Sequence, residues 1–326
     1  PITLHTVTNF NTLRERAIRL AESLHPRPIN IGDDTITYGW GFTFLRKSTR
    51  NGVDTWLRYE HLNSCLAAIG ITLSENELED LDRIGEALTA NHLNGPTGAR
   101  PRITDFIARW NQPAQGRDRP NLTDDRARLL FNADMDFQSV YLSDRLRGLL
   151  GATEGQRVYD SLLGTREMVA VFTNFYNGQK LFGQGIANAL SEGNRAEAWF
   201  QLRYGWKESI DPNPRTNPNN GWAKRHYMES TVFGLYNDPA NISLDDAKDA
   251  FRMLQLHRGR IRQYEKLYDT QVGLGNNDYR TLLSDPQIAM TIPALSAAMD
   301  PAKYVLLAQL RQENSSLADL DGEQQR

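Results

Sequence analysis

The sequence predicts an α+β fold, mostly α, from three observations. Apolar residues recur at three- to four-residue spacing over most of the chain. One short region, residues 28–39, reads instead as two strands around a glycine-bearing turn. From residue 123 onward the helical pattern runs almost without break.

Residues 9–24 place Phe10, Leu13, Ala17, Leu20 and Leu24 on one helical face, with Asn9 as N-cap and His25-Pro26 as the stop. Glu22 then falls in the last turn, where the helix dipole disfavours a carboxylate and pushes its pKa upward. Residues 28–31 and 35–39 read as strands around Gly32-Asp33-Asp34. Period two puts Asp33, Thr35 and Thr37 on one face, and Gly39 and Gly41 flank Trp40, where glycine permits close approach. Helices are expected at 54–69, 74–91 and 103–110. The second opens on the capping box Ser74-x-x-Glu77 with Leu73 and Leu78 as a staple. Its acidic run, Glu75 to Asp82, lacks the glycine and ligand alternation of a calcium loop and reads as a solvated face.

Residues 111–121 are a Pro/Gly-bearing linker, and Thr123 caps the long helix that follows. Further helices are expected at 154–163, 165–177, 184–192, 194–205 and 220–236, with a proline-rich loop at Pro212, Pro214 and Pro218. A helix over 243–272 carries Leu244, Ala247, Phe251, Leu254, Ile261 and Leu267 on an approximate face interrupted by Gly259. It is expected to pack on the body of the protein, with docking onto a partner as the alternative. Weaker helices near 276–283 and 300–312 precede a frayed end.

The composition of the 326 residues is that of a soluble globular protein with room for about two domains. A net charge of −3 provides no strong pull toward nucleic acid or anionic lipid. Cys65 is the only cysteine, so no intramolecular disulfide can form. No apolar run approaches a membrane span, and no signal core opens the sequence. Pro1 in place of Met is expected from processing or from a fragment of a longer polypeptide. The six histidines show no metal spacing, and there is no phosphate loop or nucleophile motif; neither metal nor cofactor is expected.

Four blocks carry a resemblance. Glu22 precedes the threonine of Thr37-Tyr38-Gly39-Trp40-Gly41 by fifteen residues. Thr123 to Ala127 leads into Leu130 to Asp136. Val158 to Leu162 is followed by Asn174-Phe175-Tyr176-Asn177-Gly178. Trp206 precedes Gly221-Trp222-Ala223-Lys224-Arg225-His226-Tyr227-Met228-Glu229. In this order they resemble the phage-type lysozymes, glycoside hydrolase family 24, over about residues 10–50 and 121–237.

That resemblance implies a lysozyme-like two-lobed fold, with a small N-terminal hairpin in one lobe and a helical C-terminal lobe. The expected segments are an N-terminal lobe at 1–50, a helical insertion at 51–120, the C-terminal lobe at 121–238 and a helical extension at 239–326. The implied activity is hydrolysis of the β-1,4 bond between N-acetylmuramic acid and N-acetylglucosamine in peptidoglycan. Glu22 would be the acid, with Asp33 and Thr37 holding the attacking water. Ile31 stands where the family has its aspartate, so the role shifts along the turn to Asp33, or to Asp34 as second choice. Trp40, Tyr176, Asn177 and Gln179 are the expected sugar contacts, Arg225 is expected to brace the lobe interface, and Trp206 is expected in the core.

Two alternatives stay open: a lytic transglycosylase, which needs the glutamate but no second carboxylate, and an inactive wall-binding module. The protein is expected to be made in the cytoplasm and to act in the periplasm or on the cell wall. It would arrive there as an injected antibacterial effector or as a phage endolysin. Its expected partners are the glycan strand and, for an effector, an immunity protein or the parent secretion polypeptide.

Overall fold

The computed structural model describes residues 2–50, 53–112, 119, 121–179, 181–205, 220–268 and 294–313. The fold is α+β and mostly α, with two small antiparallel sheets. It divides into two compact units, residues 21–141 and residues 1–20 with 142–326.

The first unit begins where α1 (Phe10–Ala21) ends. A three-stranded sheet follows, in the order β1 (His25–Ile29), β2 (Thr37–Gly39), β3 (Phe42–Thr43). Across it Thr37 pairs with both Ile29 and Thr43. A second hairpin joins β4 (Leu45–Arg50) to β5 (Val53–Arg58). This corrects the expected helix at 54–69, of which only α2 (Leu62–Ala67) is helical. The signal was the Asn51-Gly52 dipeptide between β-tolerant runs, a strong hairpin indicator.

Three more helices complete this unit: α3 (Glu75–Thr89), α4 (Ala99–Asn111) and the first part of α5 (Asp124–Leu150). The capping box forms as expected, Ser74 accepting from the Glu77 N–H while Glu77 accepts from the Ser74 N–H. The core is aromatic. Tyr38, Phe42, Phe44, Tyr59, Phe106 and Trp110 are all buried, with edge-to-face contacts such as Phe44–Trp110 at 5.3 Å between ring centroids. Cys65 is fully buried there, and burial pushes its thiol up to about 12.

The second unit is helical. Its elements are the rest of α5, α6 (Ala152–Leu162), α7 (Arg166–Asn177), α8 (Gln184–Glu192), α9 (Arg195–Tyr204) and α10 (Asn220–Phe233). α11 (Leu244–Leu256), α12 (Arg258–Tyr268) and α13 (Leu295–Glu313) follow. Residues 166–175 of α7 are all buried, which makes α7 the central helix; α10 packs along it.

Deep in this unit Glu167, fully buried, accepts from Arg195 at 2.6 Å and from the His5 N–H at 2.9 Å, tying the N-terminal residues to the bundle. Burial alone would raise its pKa. The charge of Arg195 and the hydrogen bonds from Arg195 and His5 outweigh that and lower it.

The expected helix at 243–272 is two helices meeting at His257, whose ring stacks 3.6 Å above Phe200 while its Nε2 meets Glu197 at 2.8 Å. Ala247, Ala250 and Met253 of α11 are buried, and α11 packs against α9 and α13. This is the packing role expected for the segment. The helix at 276–283, the loop at 212–218, Trp206, most of the linker and the C-terminal end lie outside the described residues.

Candidate active site

Three of the expected functional residues gather in the first unit. Glu22 lies one residue past α1, in a bend leading to β1, half-buried. It faces the tight turn between β2 and β3, where Gly39 and Gly41 have φ of +61° and +75°, values that favour glycine. The close approach is at Gly41: a Cβ there would stand 3.1 Å from Glu22 Cδ and 3.3 Å from its Oε2. The glycine therefore lets the sheet turn lie directly against the carboxyl group.

Asp33 sits in the loop between β1 and β2, not on the strand where period two placed it. As a residue it is exposed, yet surrounding protein displaces enough water from its carboxyl to raise the pKa. The negative charges of Asp34 and Glu22 push the same way, against hydrogen bonds from backbone N–H groups, including Thr35 at 3.3 Å. Asp33 thus lies within reach of the charge of an acid from a different element, an arrangement common where a pKa serves chemistry.

Asp34, the second-choice carboxylate, is committed elsewhere. It has φ of +59° and accepts two hydrogen bonds from Arg100 of α4, at 2.8 and 3.2 Å. Sequence reading missed Arg100, since nothing local links residues 66 positions apart.

Thr37 lies on β2, 3% exposed, and its hydroxyl has no hydrogen-bond partner among the described residues. Leaving such a hydroxyl unsatisfied costs about 1–3 kcal/mol. Its neighbour Thr35 behaves structurally, donating to the Leu45 carbonyl at 3.4 Å.

Trp40 is a correction. It is 3% exposed and packs edge-on against Phe131 at 6.0 Å, so its ring belongs to the core and offers no stacking face for a sugar. The other expected sugar contacts lie at the end of α7 in the second unit. Tyr176 and Asn177 are half-buried and Gln179 is exposed. Asn177 Nδ2 is buried without a partner among the described residues. Arg225, 6% exposed, is buried in α10 of that unit.

Compared with protein-family models, with curated proteins and with solved structures, the chain matches none. No cluster of histidine, cysteine and carboxylate side chains suited to a metal ion occurs among the described residues. No described helix is long and apolar enough to cross a membrane.

A second set of buried polar groups in the first unit carries no such chemistry. Asp134, 1% exposed, accepts from Tyr59 at 2.8 Å and Gln138 at 3.0 Å, with Arg46 at 3.5 Å. Burial raises its pKa against the pull of Arg46 and these hydrogen bonds. The cluster links β4, the residue following β5 and α5, a scaffolding arrangement.

Proposed function

We propose that this chain is a peptidoglycan muramidase of the phage-type lysozyme kind, cutting the β-1,4 bond between N-acetylmuramic acid and N-acetylglucosamine. The observation that carries the reading is the seat of Glu22, its carboxyl against Gly41 on a glycine-flanked turn and electrostatically coupled to Asp33.

Glycoside cleavage needs an acid to protonate the leaving oxygen and a second group on the opposite face of the sugar. Glu22 takes the first role. Asp33, as carboxylate, and the Thr37 hydroxyl take the second by orienting and deprotonating the attacking water. This division gives inversion at the anomeric carbon, for which carboxyl separations of about 6.5–9.5 Å are usual.

A lytic transglycosylase is the second reading. The place of Asp33 in an exposed loop outside the sheet favours it, because that reaction needs the acid alone. Digestion of purified peptidoglycan by wild type, Glu22→Gln and Asp33→Asn, followed by mass analysis, tests both. Reducing ends lost in both variants support the hydrolase. Products with 1,6-anhydro ends that survive Asp33→Asn support the transglycosylase. Wall binding with no cleavage by any form leaves an inactive binding module.

The biological setting we propose is an antibacterial effector injected into a competitor's periplasm, with an immunity protein as partner; a phage endolysin is the alternative. Lysis of cells that export the protein without an antidote supports a lytic role, and harmless export ends it.

A further inference from the structure

Asp33 sits in a short loop outside the sheet, exposed as a residue, its carboxylate bonded by local backbone N–H groups, with Thr35 donating to Oδ1 at 3.3 Å. A base in such a place needs something else to fix it. The adjacent Asp34 supplies the fixed point, because both of its carboxylate oxygens are gripped by one guanidinium from the first turn of α4. A fork-to-fork arginine–carboxylate pair is geometrically specific. Here it holds a non-glycine residue at φ of +59°, a conformation few L residues adopt unaided.

We propose that Arg100 is a positioning residue for the second carboxylate: it anchors Asp34, and through it sets both the place and the ionisation of Asp33. This rests on the muramidase reading above. Arg100 belongs to residues 51–120, outside the lysozyme-like blocks, so the role gives that segment a function in the site.

The electrostatic consequence has a sign. The charged groups bearing on Asp33 are Asp34 in its own loop and Glu22 from the end of α1, both of which raise its pKa, while Arg100 neutralises Asp34. Removing Arg100 leaves the Asp34 charge uncompensated and moves Asp33 upward. Removing the Asp34 charge moves Asp33 downward. Asn tolerates the left-handed region, so Asp34→Asn can keep the backbone and one hydrogen bond from Arg100.

The test compares wild type, Arg100→Ala, Arg100→Lys and Asp34→Asn in the full chain. Asp33 carboxyl titration is followed by carbon-13 NMR, alongside peptidoglycan turnover against pH. The expected results are a higher Asp33 pKa in Arg100→Ala, a lower one in Asp34→Asn, and an acid limb of activity that moves with each. Turnover in Arg100→Ala is expected to fall about 10- to 100-fold, as displacement of a reacting group does, with partial recovery in Arg100→Lys. Titration and acid limb unmoved, or moved in one direction by both variants, overturns the inference while Glu22-dependent cleavage leaves the muramidase reading standing. Absence of cleavage by wild type overturns the reading itself, whatever the titrations show.

Discussion

Two carboxylates, one in each unit, are held in opposite ways. Glu167 in the helical unit is fully buried and matched by Arg195 and His5, so that its pKa is lowered in spite of burial. Asp33 in the sheet-bearing unit has its carboxyl partly desolvated and faces two like charges, and its pKa is raised. A matched buried acid reads as scaffold, since its cost of burial is met by its partners. An acid kept among like charges is a candidate for chemistry. The proposed muramidase reading accordingly rests on Glu22 and Asp33.

The largest effect that can break this contrast is at Glu22. Glu22→Gln is expected to lower peptidoglycan turnover by about 10²–10⁴-fold with little change in melting temperature. Native turnover in that variant removes the site.

The complementary substitution is Glu167→Gln, expected to cost about 3–5 kcal/mol of stability because it leaves the Arg195 charge buried without its anion. Its pH dependence sharpens the point. A lowered folded pKa means the stabilisation is present above the unfolded value, near 4.5, and is lost as pH falls through the folded value. The gap between wild type and Glu167→Gln in denaturant titrations should thus be full at pH 7 and shrink below about pH 4.5. A gap independent of pH would mean that packing, not charge, holds the cluster.

Gly41→Ala comes next. The new methyl must displace the Glu22 carboxyl and adopt a positive φ. About 10- to 100-fold loss of turnover is expected, with a stability cost near 1 kcal/mol. Loss of stability without loss of turnover would separate the turn from the chemistry.

The smallest effect is at Ser74. Glu77 is another matched acid, held by Ser74 and Arg119 below its usual pKa in spite of partial burial. Ser74→Ala should cost about 1 kcal/mol in thermal unfolding and leave turnover untouched, placing a scaffold acid in the same unit as the proposed catalytic one.

How much of this could be read beforehand depends on distance along the chain. The Ser74 cap and the Thr165–Asn177 helix follow from residues within a few positions of one another, whereas the seat of Glu22 against a turn nineteen residues on was expected only from the lysozyme resemblance. The β4–β5 hairpin departs from the helix expected at 54–69, although Asn51-Gly52 is a local hairpin signal. Trp40 was misassigned because its partner, Phe131, comes from α5, far along the sequence. The Arg100–Asp34 clamp had no local trace at all.

The sealed position of Cys65 has a practical consequence. A thiol at 0% exposure and pushed up to about 12 does not react with aqueous reagents while the surrounding helices and hairpin stay closed. Because no second cysteine competes with it, its labelling rate is a built-in clock for how often the sheet-bearing unit breathes open, readable by intact mass without any engineered probe.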